Sequence, residues 1–218
     1  MTKICSLGGS LICPEEVDVE FLHGFKDLIN SRDEQFYISC GGGKFCRKYQ
    51  AAAKQLNPEI THGALDWIGI KTVFVNCELV RNLFSDVHPH VLVTPKKVEE
   101  KICIIGAEEP GHSTDYDAVL AAIEVGADEV INFTNVDYVY TKDPKEPGAE
   151  KIENMSWPDY LNMFKGGWKP GLNVPFDPKA ARLAFKNSIK VIIMNGKDLE
   201  NVRDALDEKT FKGTLLGQ

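Results

Sequence analysis

Short apolar segments alternate with amphipathic segments along the whole 218-residue chain. We predict strands at the apolar segments, which are residues 4–7, 35–40, 90–94, 101–105, 129–133, 190–194 and 213–216. The segments between them carry apolar residues at helical spacing, as between residues 19 and 31. Such alternation is typical of a parallel sheet with right-handed crossovers, which binds ligands at the carboxyl ends of its strands. The pattern therefore predicts an α/β protein with its site at that edge.

Several boundaries can be predicted from local sequence. Residues 61–84 have a largely helical pattern, although the run Val-Phe-Val at 73–75 favours a bend or a break. Residues 134–148 read as a long polar loop. Ser156 and Asp177 are predicted helix caps, and Pro178 suits the first position of the helix that Asp177 begins.

Composition excludes some classes of partner. The net charge is −7 and no basic run occurs, so neither nucleic acid nor an anionic membrane surface is expected as a partner. No apolar run approaches the ~20 residues of a membrane span, and the first residues enter a strand without a signal-peptide pattern, which predicts a cytoplasmic protein. The six cysteines lack metal-binding spacing, and we expect neither zinc nor disulfides. A small-molecule ligand is favoured.

Two glycine clusters follow the first two predicted strands. Residues 8–10 read Gly-Gly-Ser, and residues 41–43 are three glycines followed by Lys44 and Arg47. Glycines let a ligand approach the backbone, and cations at a helix start attract phosphate. Neither cluster matches the P-loop or the GxGxxG dinucleotide fingerprint. The clusters therefore predict a phosphate site of another kind.

A third loop connects the strand ending near residue 105 to an apolar helix. Pro110 and Gly111 prevent helix within the loop, while Ser113 and Thr114 are candidate caps. The unpaired amides at such a helix start can bind phosphate or carboxylate. On this segment alone, a plain connection in which Asp115 stabilises the helix N-terminus is favoured over an anion site, because acidic residues are common in a first helical turn.

Five motifs in order along nearly the whole chain resemble the amino acid kinase superfamily. They are SLGGS at 6–10, GGGKFCRKY at 41–49, PGHSTD at 110–115, TNVDYVYTKDP at 134–144 and VPFDPKAA at 174–181. Within that superfamily the motifs are most similar to the uridylate (UMP) kinases of the short archaeal type.

The resemblance implies a fold and an activity. The fold would be a single α/β/α sandwich domain over residues 1–218 with a mostly parallel central sheet. Residues 1–125 would bind the acceptor nucleotide and residues 126–218 would bind ATP. The reaction would be transfer of the γ-phosphoryl group of ATP to UMP, giving UDP and ADP. Mg²⁺ would be held mainly by the ATP phosphates without a protein metal site, and the assembly would be a homo-hexamer.

The resemblance also assigns site residues. The ATP phosphates or the transferred group would contact Gly8, Gly9, Ser10, Gly43 and Arg47. The UMP side would comprise Gly42, Asp66, Glu108, Glu109, Pro110, Gly111, His112, Ser113 and Thr114. The ATP ribose and adenine would contact Thr134, Asn135, Tyr140 and Asp143. The charge-handling residues would be Lys44, Arg47 and Asp115, with Asp115 ordering Lys44 or Mg²⁺ rather than removing a proton, because a phosphate acceptor is already ionised at pH 7.

Two departures concern charge at the transfer site. Many relatives have a lysine where this chain has Ser6. We expect Lys44 to replace that cation, with Lys142 as the weaker candidate. Glu108 stands where the subgroup usually has threonine, and we expect its carboxylate to point away from the UMP phosphate that it would repel.

Two further departures bear on substrate identity. Asp117 replaces a small residue near Asp115, at the start of the helix that follows the third loop, and Tyr138 replaces a glycine in the adenine segment. If that glycine has positive φ, tyrosine there costs roughly 1 kcal/mol or more.

Two other functions stay open at the level of sequence. Another small-phosphate or carboxylate kinase of the superfamily, such as isopentenyl phosphate kinase, would have a histidine in the helix where this chain has Arg47. A binding or storage protein that kept the fold and lost catalysis, as the molybdenum storage proteins did, would accommodate the acidic residues Glu108 and Asp117.

Overall fold

The computed structural model describes residues 1–107, 109–163 and 175–217. In that part of the chain seven strands form one sheet in the order β3-β2-β1-β4-β8-β9-β7, and β5 and β6 form a small antiparallel pair. The strands are β1 (Thr2–Leu7), β2 (Gln35–Cys40), β3 (Ile102–Ile105), β4 (Glu129–Thr134), β5 (Val139–Tyr140), β6 (Lys151–Ile152), β7 (Asn154–Met155), β8 (Lys190–Asn195) and β9 (Thr214–Leu216). Strands β3, β2, β1, β4 and β8 are mutually parallel, whereas β9 is antiparallel to β8.

Helices cover both faces of the sheet. The described helices are α1 (Gly9–Ile12), α2 (Val19–Asn30), α3 (Gly43–Leu56), α4 (His62–Arg81), α5 (Thr114–Val125), α6 (Trp157–Met163), α7 (Pro178–Lys186) and α8 (Leu199–Leu206). None of them is long and apolar enough to span a membrane.

Alternate side chains of each strand build two separate cores. In β2, Phe36 and Ile38 pack with α2, α4 and α8, whereas Tyr37 packs with α5, α6 and α7. Successive side chains of a strand point to opposite faces, so a continuous apolar strand serves both cores. This arrangement confirms the predicted α/β/α sandwich with a mostly parallel sheet.

The predicted caps agree with the structure. The Ser113 hydroxyl accepts a hydrogen bond from the Tyr116 amide at 3.2 Å and so begins α5. The Asp177 carboxylate accepts one from the Lys179 amide at 3.0 Å, and Pro178 is the first residue of α7. Both caps satisfy amides that have no partner within their own helix.

Three predicted elements differ from the structure. Residues 90–94 form no strand, since only Leu92 makes an isolated bridge to Ile105, and the flanking Pro89 and Pro95 lack the N–H groups that a strand needs. The helix α4 continues through residues 73–75 without a break, because packing on the sheet outweighs β-branched propensity. The polar loop at 134–148 contains the short strand β5.

Candidate active site

The carboxyl ends of four parallel strands meet at one edge and are linked by glycine amides. The Gly8 amide donates to the carbonyl of Phe133 at 2.9 Å, and the Gly41 amide donates to that of Leu7 at 2.9 Å. The Gly196 amide donates to the Thr134 carbonyl at 2.9 Å, which connects β8 to β4. The loops after β1, β2, β4 and β8 are therefore neighbours, as predicted for the ligand edge of a parallel sheet.

The two glycine clusters pack directly against each other. A Cβ atom on Gly9 would lie 2.0 Å from the Gly43 nitrogen and 2.6 Å from the Gly41 carbonyl carbon. Gly43 has φ +63°, a conformation that side chains rarely adopt. Glycine is thus required here by backbone-to-backbone contact. This requirement, which sequence alone did not reveal, brings the loops after β1 and β2 together as one structure.

The second glycine cluster is also fixed from α4. Asn76 is buried, and its side-chain nitrogen donates to the Gly41 carbonyl at 2.8 Å. A buried polar side chain needs such a partner, so Asn76 and the loop position each other.

The cations beside this cluster face solvent. The Lys44 ammonium lies 2.9 Å from a Glu15 carboxylate oxygen, and both side chains are substantially exposed. Arg47, one turn along α3, is exposed and makes no hydrogen bond or ion pair with the described residues. Lys44 N–H donates to the Cys13 carbonyl at 3.0 Å, which holds the start of α3 against α1.

A cleft of about 220 Å³ opens beside the glycine clusters, between α3, α4 and the loop before α5. Of the predicted UMP residues, it is lined by Asp66, Glu109, Pro110, Gly111, His112, Ser113 and Thr114. Gly42 adjoins it, because a Cβ there would lie 2.6 Å from that of Cys46 and 3.3 Å from a Val73 methyl, and both of these residues line the cleft. An acceptor in this cleft would therefore extend to the glycine loops.

Further lining residues were not predicted. They are Cys46, Gln50, Gly69, Ile70, Val73, Ala107 and Asp117. Most of them follow the helical spacing of one face, as Cys46 and Gln50 do in α3, and that periodicity could have found them. Cys46 thus lies in the wall of the cleft.

His112 lies between two carboxylates just before the N-terminus of α5. Its Nε2 is 3.7 Å from a Glu109 oxygen, and its Nδ1 is 3.8 Å from an oxygen of Asp117, which is buried. The His112 and Tyr116 rings lie 4.4 Å apart between centroids. Within the described residues, Nδ1 of His112 has no hydrogen-bond partner, so the described contact that holds this ring is its packing on Tyr116.

Asp115 joins three parts of the chain. Its carboxylate accepts a hydrogen bond from the Ser6 hydroxyl and another from the Asp177 amide, each at 2.9 Å. Asp177 in turn accepts one from the Ser113 hydroxyl at 2.6 Å. Burial raises the pKa of the Asp115 carboxyl to about 6, although the two hydrogen bonds act to lower it.

This network changes two sequence expectations. Asp115 contacts Ser6 and Asp177, while Lys44 contacts Glu15, so the described contacts do not include the expected pairing of Asp115 with Lys44. Ser6, which stands where many relatives have a lysine, supplies a hydroxyl donor to the same carboxylate. The organising role expected of Asp115 is thus exerted on backbone and hydroxyl groups.

The predicted ATP residues begin at the end of β4, which adjoins the first glycine cluster. Thr134 ends β4, with its Cα 3.7 Å from where a Gly8 Cβ would be, and exposed Asn135 follows it. Tyr140 lies in β5, and Asp143 accepts a hydrogen bond from the Lys145 amide at 2.9 Å in the exposed turn after it.

The backbone at Tyr138 is not strained. Among the described non-glycine residues, positive φ occurs at Ser188 and Glu208. Tyr138 is not one of them, so the condition under which tyrosine would be strained at this position is not met. The Tyr138 ring is edge-on to Tyr140 at 6.3 Å and lies 5.0 Å from the Lys151 ammonium, so it adds an aromatic surface to this side.

Two sets of predicted residues lie outside the described chain. They are Glu108, with its expected outward orientation, and residues 164–174, which include the first residue of the motif at 174–181.

Comparisons with known proteins agree with this geometry. A uridylate kinase from Pyrococcus abyssi is 33% identical over 226 residues, covering 99% of each chain. The chain belongs to the amino acid kinase family. That family's profile matches residues 98–195, which include α5, Asp115 and the β4 loop.

The fold of this family member has close counterparts. The crystal structure of uridylate kinase from Archaeoglobus fulgidus superposes with a TM-score of 0.82 at 29% identity, covering 99% of this chain and all of that one. UMP kinase from Bacillus anthracis gives 0.80 at 19% identity and covers 95% of that chain, which supports the fold alone.

Proposed function

We propose that this amino acid kinase family member transfers the γ-phosphoryl group of ATP to UMP, giving UDP and ADP. The observation that carries the proposal is the cleft between α3, α4 and the loop before α5, which adjoins the packed glycine clusters. A nucleoside in the cleft would direct its phosphate towards the glycine amides and Arg47. The full-length similarity to uridylate kinases supports UMP as the acceptor.

The proposed reaction depends mainly on the position and charge of the groups around the phosphates. Phosphoryl transfer needs the two substrates aligned and the charge on the equatorial oxygens neutralised. The glycine clusters would align the phosphates, Lys44 and Arg47 would supply positive charge, and Asp115 would hold Ser6 and the start of α7 in place. None of these roles needs a general base.

Mg²⁺ would accompany ATP. Within the described residues no three His, Cys, Asp or Glu side chains form a group that could hold a metal ion. Mg²⁺ commonly keeps its waters and binds through substrate phosphates with one or two carboxylates, so the residues present fit an ion carried by ATP. The ion would supply further neutralisation of phosphate charge, while positioning is left to the protein.

The division of the chain follows from the same proposal. The acceptor would bind within residues 1–125, which contribute the cleft, and ATP would bind beside Thr134 and β5 within residues 126–218. The cytoplasmic location stays a prediction.

An acceptor panel tests the proposed activity. The protein would be given ATP and Mg²⁺ with UMP, CMP, AMP, isopentenyl phosphate or acetate, and ADP release would be measured. We expect release to be fastest with UMP. Release only with isopentenyl phosphate or a carboxylate would favour the other kinase, and nucleotide binding without release under any condition would favour the storage protein.

We also propose a homo-hexamer, as the sequence resemblance implies. An apolar groove of about 470 Å³ lies on the outer face of α3 and α4 and is lined by Phe45, Tyr49, Trp67, Ile68, Lys71, Thr72 and Val75. Tyr49, Trp67 and Val75 are each about half exposed, and exposed apolar patches commonly mark interfaces. Light scattering should give the mass of a hexamer, and Trp67→Asp should lower it. A monomer mass for the unaltered protein would contradict this assembly.

A further inference from the structure

Lys179, on the second residue of α7, reaches back to the loop that lines the acceptor cleft. Its ammonium donates to the Gly111 carbonyl at 2.9 Å and lies 4.8 Å from the centre of the Tyr116 ring. The contact therefore joins the C-terminal part of the chain to the loop before α5. The sequence reasoning gave Lys179 no role.

The loop is contacted from the start of α7 as well as from α5. Gly111 has φ +86°, and nothing lies within 4 Å of the position of a Cβ there. The described polar contacts from α7 to the loop are those of Lys179 with Gly111 and of Asp177 with Ser113. His112, between these two loop residues, packs on the same Tyr116 ring that the ammonium approaches.

We propose that Lys179 is a positioning residue that sets acceptor affinity by clamping residues 109–113 against the start of α7. The inference rests on the proposed function, because it takes the cleft to be the UMP site. Lys179 does not line the cleft and so acts through the loop. An ordered loop binds its ligand with less loss of conformational freedom, so the clamp strengthens acceptor binding without entering the transfer step.

Two variants and a matched control test the clamp. Lys179→Met keeps the aliphatic stem and removes the cation and its donors, whereas Lys179→Arg retains both. Lys186→Met is the control, since Lys186 is exposed at the other end of the same helix. Lys179 is itself exposed, so none of these changes disturbs a core.

Initial rates give the first readout. Lys179→Met should raise KM for UMP about 3- to 10-fold, with kcat and KM for ATP within about twofold. Lys179→Arg should restore most of the affinity, and Lys186→Met should change nothing. Unchanged KM for UMP, equal changes in both KM values, or no rescue by arginine would each overturn the proposal.

Hydrogen exchange gives a readout that needs no activity. In the nucleotide-free protein, Lys179→Met should speed exchange of the amides of Glu109 and of residues 111–113 about 3- to 10-fold and leave those of α8 unchanged. Exchange that is unaltered at 109–113 would overturn the clamp. If the unaltered protein phosphorylated no UMP, the proposed function would fail and the exchange result would still decide the clamp.

Discussion

The pKa of the Asp115 carboxyl group depends strongly on its surroundings. It lies partly buried among β1, α5 and the start of α7, and this loss of solvent raises its pKa to about 6 from an ordinary value of 3.8. Because the folded state binds this proton more tightly than the unfolded state, the associated stability is fully present below pH 3.8 and is lost as the pH rises through about 6.

Asp115→Asn should remove this dependence. Between about pH 4 and pH 8, the free energy of unfolding of the variant should rise relative to the unaltered protein by on the order of 3 kcal/mol, since one pKa unit corresponds to about 1.4 kcal/mol. Urea unfolding of both proteins across this range measures the difference. A difference that does not change with pH would contradict the buried, shifted carboxyl.

Lys44 lies in an exposed pair with Glu15, and such pairs contribute about 0–1 kcal/mol. The ammonium can therefore leave Glu15 for a phosphate at little cost. Lys44→Met should lower kcat roughly 10²-fold or more, because a cation at the transferring group acts mainly on the transition state. Glu15→Gln is the control and should leave kcat almost unchanged. Near-normal kcat in Lys44→Met would remove Lys44 from the transfer step.

Arg47 is exposed on α3, one turn beyond the glycine cluster. Arg47→Ala should weaken transition-state binding by about 2 to 4 kcal/mol, as expected for a charge-assisted contact to phosphate in a closed site. Lys54→Ala, near the end of the same helix, provides the control. Equal kcat/KM in the two variants, both folded, would place Arg47 outside the site.

At the scale of elements, the glycine clusters act as a single unit. They touch backbone to backbone, so their glycines are fixed by the fold before any ligand binds. Gly9→Ala should lower the free energy of unfolding by about 2 kcal/mol or more, since the atoms in the way are backbone and cannot move aside. Gly63→Ala, where a Cβ meets nothing within 4 Å in α4, should not destabilise. Equal unfolding midpoints for the two variants would contradict the packing.

Tyr138, the residue before β5, is the position at which this chain departs from its relatives in the segment proposed to bind adenine. Tyr138→Gly should change KM for ATP, or the choice between ATP and GTP, more than KM for UMP, because the ring adds aromatic surface on the ATP side only. Tyr138→Phe keeps the ring and should behave like the unaltered protein. Equal effects of Tyr138→Gly on both KM values would make the residue structural.

The elements that could be predicted from sequence are those with a local signal. The apolar strand Gln35–Cys40 and the caps Ser113 and Asp177 agree with prediction, since periodicity and capping are local properties. The strand predicted at residues 90–94 is absent, because the two flanking prolines lack the N–H groups needed to pair with the edge of the sheet. Helix α4 continues through 73–75 because its tertiary contacts outweigh local propensity.

The candidate site was harder to predict from the sequence, because its geometry depends on contacts between residues that are far apart along the chain. The Asn76–Gly41, Ser6–Asp115 and Lys179–Gly111 contacts join residues separated by 35 to 109 positions. Sequence spacing gives no information on such pairs. Residue types at the loops were informative, whereas their partners required the fold.

At the scale of the whole molecule, one sheet edge brings the two halves of the chain together. Strands from both halves end there, with β1 and β2 contributing the glycine clusters and β4 and β8 the loops opposite. Contacts of Asp115, Asp177 and Lys179 then connect α5 and the loop before it to the start of α7. The central claim is that a phosphoryl group is transferred from one nucleotide to another at this edge.

Phosphorus NMR of the complete reaction tests that claim most directly. With ATP, Mg²⁺ and UMP, the account predicts that the γ signal of ATP is replaced by the β signal of UDP, with UDP and ADP formed in equal amounts. The Gly9→Ala protein should give neither product. Inorganic phosphate in place of UDP, or an unchanged ATP spectrum with the folded protein, would contradict it.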